Sequence, residues 1–193
     1  MAAVNEDRRV RKTKKQLRSA LTSLLLEKDI SRITVRDVAE LADVNRGTFY
    51  AHYSDVYDLL GQLENELMGH LEELGKKHDA RRADGKSFNY LTDLFELAGE
   101  YSDLFYTLYC RSGDSNFRKT MFNLLKYQYL YEYLSIFGGG ESERLDYCAS
   151  FIVSGMCTLA EVWIENGMHE SPEEMAKLGG ELVMNGLHIV NGI

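Results

Sequence analysis

The sequence has very little proline, with one residue, Pro172, in 193. Proline-rich linkers and most loop-rich β architectures are thereby disfavoured, and long uninterrupted helices are favoured. Cysteine is sparse and odd in number. Cys110, Cys148 and Cys157 lie far apart in apolar stretches, which fits buried, reduced thiols in a cytoplasmic protein better than a disulfide framework. No apolar run approaches the ~20 residues of a membrane span, so no membrane association is expected. The basic N-terminus, MAAVNEDRRVRKTKKQ, has no apolar core behind it and does not read as a secretion signal. The five histidines, at 52, 70, 78, 169 and 188, lack metal-ligand spacing. No nucleophile elbow, phosphate loop or paired-carboxylate motif occurs. No enzymatic activity, cofactor or metal is expected.

What is present is an asymmetry of charge. The net charge is −8. Residues 1–53 carry 11 Lys and Arg against 7 Asp and Glu, a net of +4, and the rest carry 11 against 23, a net of −12. A basic head can approach a polyanion while an acidic body is repelled by it and turned outward.

The apolar pattern is helical throughout, and no segment of strand period is long enough to count. A first helix is expected from about Arg8 to Glu27, with Leu17, Ala20, Leu21, Leu24 and Leu25 on one face. Its N-terminal part and opposite face carry Arg8, Arg9, Arg11, Lys12, Lys14, Lys15 and Arg18. Cations at a helix N-terminus oppose the helix dipole, so they are read as an arm near phosphates. A short helix, Val35 to Ala42, follows the N-cap Thr34, with Asp37 as capping-box acid. Asp43 suits the left-handed turn after it. Asn45 caps a third helix, about Arg46 to His52, and Ser54 caps a long fourth one. Further helices are expected at about 89–98, 101–110 and 116–137. The breaker Gly138–Gly140 precedes the last two, about 142–166 with Gly167 beyond its end, and 172–189 behind Ser171-Pro172-Glu173-Glu174.

Two short helices joined by a tight turn, after one helix and before a long one, describe a helix-turn-helix. Val35, Val38, Ala39, Val44 and Phe49 face inward. Arg36, Asn45, Arg46, Gly47, Thr48, Tyr50, Ala51, His52 and Tyr53 face outward, a surface rich in donors and free of acid. Arginine can read guanine edges, hydroxyls suit phosphate oxygens, and glycine lets the backbone approach the duplex. The fold class is all-α, with a helix-turn-helix domain at 1–53 and a helical bundle for effector binding and dimerisation at 54–193.

The run ITVRDVAELADVNRGTFYAHYSDVYDLL resembles the DNA-binding module of the TetR/AcrR family of bacterial regulators. The C-terminal run FIVSGMCTLAEVWIENGMHESPEEMA resembles a domain of the branch that contains relatives of the dihydroxyacetone kinase activator. The resemblance implies that Arg36 and Arg46 meet base edges or nearby phosphates, and that Thr34, Thr48, Tyr50 and His52 clamp the backbone. Asp43 stands where many members have glycine, and Val56 where many have a phosphate-touching lysine.

The resemblance also implies a small-molecule site in the body, and the aromatics of residues 88–137 could line one. Phe95, Tyr101, Phe105, Tyr109, Phe122 and Tyr127 are its candidates. Apolar stripes on the last two helices predict a homodimer through a four-helix bundle, with Cys148, Ile152, Met156, Trp163, Leu178 and Leu182 at the interface. The expected function is a repressor that binds a palindromic double-stranded DNA operator as a homodimer and is released by a small-molecule effector. An alternative keeps the fold but acts as an adaptor or co-activator through protein contacts. The basic arm and the acid-free recognition face favour the first.

Overall fold

The computed structural model describes residues 8–78, 88–111, 115–126 and 142–191. Among them it is all-helical, in the order α1 (Arg8–Glu27), a 3-10 turn (Ile30–Arg32), α2 (Val35–Leu41), α3 (Arg46–Tyr50), α4 (Val56–Lys77), α5 (Phe88–Glu100), α6 (Ser102–Phe105), a π-helical turn (Tyr106–Arg111), α7 (Ser115–Asn123), α8 (Ser142–Glu165) and α9 (Pro172–Asn191). The Gly138–Gly140 breaker and Tyr127 lie outside the described residues.

Local chemistry sets most helix ends. Thr34 Oγ1 accepts from the amide of Asp37 at 3.2 Å, and the amide of Thr34 donates to Asp37 Oδ2 at 2.9 Å, so the capping box is complete. Ser171 and Glu174 repeat the arrangement at α9, with Pro172 in the first helical position. Two helices end alike. At α2, Asp43 takes φ 54°, its amide reaches Glu40 O, and that of Val44 reaches Ala39 O. At α8, Gly167 takes φ 83°, with its amide on Ile164 O and that of Met168 on Trp163 O. Both are Schellman closures. At α4 the expectation needs correction. The cap is Asp55, whose carboxylate accepts from Asp58 N at 2.8 Å, and Ser54 instead donates its amide to Asp58 Oδ2.

One apolar core runs the length of the molecule. Leu17, Leu21 and Leu25 of α1 pack with Val38, Phe49 and the first turns of α4. Leu63, Leu67 and Leu71 carry the same core on to Phe95, Phe105, Leu108, Met121, Val153 and Trp163. The boundary expected between residues 53 and 54 is thus bridged by α4, whose first turns belong to the head and whose last turns belong to the body. Near its C-terminus Lys77 and His78 both engage Asp93 of α5. Burial pushes the carboxyl of Asp93 up, but these two partners together hold it below the usual carboxylate range.

The single helix expected over 101–110 is divided. Four residues are α-helical, and the chain then widens into the π turn, where the buried Thr107 hydroxyl has no hydrogen-bond partner among the described residues. The stretch Asp146–Glu165 is, by length and composition, apolar enough to cross a membrane, which corrects the expectation that no segment is. Its Ala149, Val153, Cys157, Ala160 and Trp163 are buried in the chain's own core. Burial pushes the Cys157 thiol up to about 11, as suits an inert interior thiol.

Candidate nucleic-acid interface

The short helices α2 and α3 are held by contacts that leave one face outward. Lys28, just past the end of α1, pairs with Asp37 at 3.0 Å and ties α1 to the start of α2. The Asp37 carboxylate sits below the usual range because it accepts from the amide of Thr34, and then from Lys28 and the Thr34 hydroxyl. Helix α3 is capped by Asn45, whose Oδ1 accepts from Thr48 N at 2.7 Å and from the Thr48 hydroxyl at 3.1 Å. Gly47 has a local reason besides closeness to a ligand. A Cβ there would stand 3.1 Å from that capping oxygen.

Arg46, at the first position of α3, is exposed and has no ion-pair partner among the described residues. Arg36 is exposed on α2 but lies against Glu40 at 2.7 Å, one turn on. An exposed pair of this kind contributes ~0–1 kcal/mol, so the guanidinium can exchange it for a base or phosphate. Thr34 is exposed. Its oxygen is occupied as the cap acceptor, and its hydroxyl is engaged with the Asp37 carboxylate. Asn45 keeps its amide NH₂ after its Oδ1 is used. Tyr50 is half exposed, edge-on to Phe49 at 5.8 Å between centroids, and His52 is partly buried beside Tyr53. Thr34, Arg36, Asn45, Arg46, Gly47 and Tyr50 are therefore each accessible, and Thr48 and His52 are partly so.

Two expected contacts are not among them. Tyr53 is 2% exposed and packs into the core against Phe49, so it is a structural residue. The helix stops at Tyr50, and the two residues after Ala51 turn the chain inward toward α4. Arg18 is not part of the arm either, since it pairs with Glu66 of α4 at 2.6 Å. Val56 is buried in the core. The remaining basic residues of the arm, Arg8, Arg9, Arg11, Lys12, Lys14 and Lys15, precede Leu17, the first buried residue of α1.

In the body, Phe95 is buried edge-on to Trp163 at 5.6 Å, and Phe105 stacks on Tyr109 at 5.3 Å. Phe122 carries the Lys126 ammonium over its ring. Tyr101 lies apart from these, on His70 of α4. On α8, Trp163 faces the chain's own core and its Nε1–H donates to Glu170 O at 3.0 Å, which corrects its expected place at an interface. Met156 covers Gly179 of α9. Cys148 and Ile152 are half-buried, and Leu178 and Leu182 stand exposed on α9. Sequence reasoning misses Tyr147 and Phe151, which are 74% and 79% exposed, and the exposed Val162 three turns on. Residues 147, 151, 155, 158 and 162 follow helical spacing, so these three lie on one stripe, interrupted by Gly155 and Thr158.

A family model described as bacterial regulatory proteins, tetR family, matches residues 17–63, and one described as a transcriptional regulator C-terminal region matches residues 86–185. An uncharacterized HTH-type transcriptional regulator, YxbF, of Bacillus subtilis (strain 168) is 36% identical over 61 residues. That stretch covers 32% of this chain and only 15% of the Bacillus protein. The crystal structure of a TetR transcriptional regulator from Streptococcus agalactiae 2603V superposes with a TM-score of 0.59 at 29% identity, covering 92% of this chain and 97% of that one. The dihydroxyacetone kinase operon activator DhaS shares the fold, with a TM-score of 0.51 at 19% identity over 92% of this chain and 97% of its own.

Proposed function

This chain belongs to the TetR family of bacterial transcriptional regulators, and from that premise we propose that it is a cytoplasmic, non-enzymatic repressor that binds a palindromic operator as a homodimer. The observation that carries the reading is the outward face of α2 and α3. There Arg46 is exposed with no ion-pair partner among the described residues, Arg36 is held only by an exposed carboxylate, and donors of Asn45 and Tyr50 lie beside them. Arg46 and Arg36 contact base edges, Tyr50, Thr48 and His52 contact the phosphates, and the basic start of α1 adds sequence-independent attraction.

One α3 is too short to select a long site, and two copies about one DNA turn (~34–36 Å) apart or somewhat more would read both halves of a palindrome. Support for the dimer comes from the exposed Tyr147, Phe151 and Val162 of α8 and Leu178 and Leu182 of α9. Large apolar side chains exposed on two neighbouring helices in this way favour an association surface. An aromatic or apolar small molecule bound among Phe105, Tyr109 and Phe122 is the proposed releasing effector, and it acts by favouring one spacing of the two heads. Binding-site selection from a random duplex pool tests the reading. A palindromic consensus is expected, and recovery of no preferred sequence at any salt concentration would overturn it.

A further inference from the structure

Helix α2 carries two acidic side chains, and only one of them has a task in the fold. Asp37 completes the capping box with Thr34 and pairs with Lys28. Glu40 stands in the last turn of α2. Among the described residues its side chain bonds only to Arg36, whose Nε–H donates to Glu40 Oε1 at 2.7 Å. Three features of this pair count against a stabilising purpose. Both side chains are open to solvent, 72% for Arg36 and 65% for Glu40, where an ion pair contributes little. The acid follows the base by four residues, which is the weaker order for such a pair on a helix. A negative charge in the last turn also opposes the helix dipole. Beside a face that meets phosphates, the same charge is repelled by them.

The atoms that make the bond give Glu40 a different task. A guanidinium carries five N–H donors in a rigid plane. Glu40 takes the one on Nε, and Nη1 and Nη2 of Arg36 have no hydrogen-bond partner among the described residues. What stays free is the two-nitrogen fork, which matches O6 and N7 of guanine in the major groove. The pair need not break for the fork to be used. An arginine that is not held in this way can turn to the nearest phosphate, a contact that carries no sequence information. Glu40 works against that outcome twice, since its oxygen fixes the plane of the guanidinium and its charge offsets the pull of the phosphates. Arg46 supplies the contrast, being exposed with no ion-pair partner among the described residues.

We propose that Glu40 is a positioning residue for sequence readout, holding Arg36 by its Nε so that the Nη fork meets a guanine edge and not a phosphate. The proposal rests on the DNA-binding reading above. It assigns guanine as the base that Arg36 reads, once in each half-site. Glu40 itself touches no base and acts only through Arg36. Removing its carboxylate should therefore raise affinity for DNA of any sequence while lowering the preference for the right one. Loss of a merely structural residue does not produce that combination.

The test uses the full chain as wild type, Glu40→Ala, Arg36→Ala and the double variant. The probe is a duplex that the wild-type protein selects from a random pool, with its single-base variants and an unrelated duplex for comparison. Anisotropy over a series of salt concentrations reads binding, and thermal melting checks the fold. Arg36→Ala should lose about tenfold in preference at one G·C pair of each half-site. Glu40→Ala should lose about as much at that same pair. It should also bind the unrelated duplex more tightly, with a salt slope steeper by ~0.9, the value of one further phosphate neutralised. Its melting temperature should be at or above that of the wild type, because alanine is the better helix former. The double variant should show no less preference than Arg36→Ala alone, since the two residues act as one unit. Full preference at that pair in either single variant overturns the proposal. So does a further loss when Glu40→Ala is added to Arg36→Ala, an unrelated duplex bound no more tightly by Glu40→Ala, or a loss for all sequences that tracks a fall in melting temperature. A wild type that selects no duplex fails the DNA-binding reading and takes the proposal with it. A wild type that selects one, with Glu40→Ala unchanged in preference, fails this proposal alone.

Discussion

Replacing Phe151 by glutamate tests the pairing face without disturbing the subunit. Phe151 is 79% exposed in the single chain, so a polar side chain there costs the isolated fold little. In a two-fold dimer the same residue occurs twice. Burying one large apolar side chain contributes ~1.5–3 kcal/mol, so the two copies contribute ~3–6 kcal/mol to association. Glutamate forfeits that and brings two carboxylates into a region that excludes water. At ~1.4 kcal/mol per tenfold, the dimer dissociation constant should rise at least about 100-fold. Sedimentation equilibrium at micromolar protein, with circular dichroism as a check on folding, reads the result. The wild type should be dimeric, and Phe151→Glu monomeric, helical and close to wild type in melting temperature. Its binding to a palindromic duplex should collapse while non-specific binding persists. Trp163→Ala on the same helix should do the opposite. Trp163 is buried against Phe95 and bonded to Glu170 O, so its loss should destabilise the subunit by ~3–5 kcal/mol. A Phe151→Glu protein that still sediments as a dimer refutes the assignment of this face, and so does a wild type that is monomeric.

Three further outcomes are expected. Arg46→Ala should weaken binding to a selected duplex by ~1–3 kcal/mol and relax preference at one position of each half-site, read by competition with single-base variants, and an unchanged preference would remove Arg46 from the base-reading set. Replacing Arg8, Arg9 and Arg11 together with glutamine should weaken binding to all sequences alike. The slope of log K against log salt should flatten by ~0.9 for each phosphate that the arm no longer neutralises, and an unchanged slope makes the start of α1 a bystander. The Asp37 carboxyl is held below its ordinary value by the Thr34 amide and then Lys28, so its contribution is fully present above the unfolded Asp value, ~3.9, and is lost as pH falls toward the folded one. Asp37→Asn should lower the melting temperature at neutral pH and narrow its gap from wild type on acidification, a difference that pH-dependent scanning calorimetry can follow.

The parts of the molecule legible in its sequence are those fixed by neighbours within one turn. Thr34 with Asp37, Asn45 with Thr48, Ser171 with Glu174, and the left-handed Asp43 and Gly167 are each settled by three to five residues of chain, and each is readable without the fold. The shift of the α4 cap from Ser54 to Asp55 shows the limit even there, since Ser-Asp offers two capping side chains in a row and local sequence does not rank them. Tyr53 is illegible for a different reason. Period predicts direction only while the helix lasts, and α3 ends at Tyr50, so the direction of a residue three places on belongs to the tertiary path.

On α8 the expected and the exposed stripes differ in phase. The expected stripe runs through 148, 152 and 163, and the exposed one runs through 147, 151 and 162. One residue is about 100° of rotation at 3.6 residues per turn. A helix with charged residues on one side would have fixed that angle. From Tyr147 up to Glu161, α8 has none, so composition alone leaves two apolar faces and no rule for which one meets the chain's own core. Tertiary contact breaks the tie. The row Ala149, Val153, Cys157, Ala160 and Trp163 meets the subunit's own core, where Trp163 lies edge-on to Phe95 and donates to Glu170 O. Tyr147 and Phe151 stand two residues before Ala149 and Val153, about 200° round the helix, so seating that row in the core turns these two rings outward.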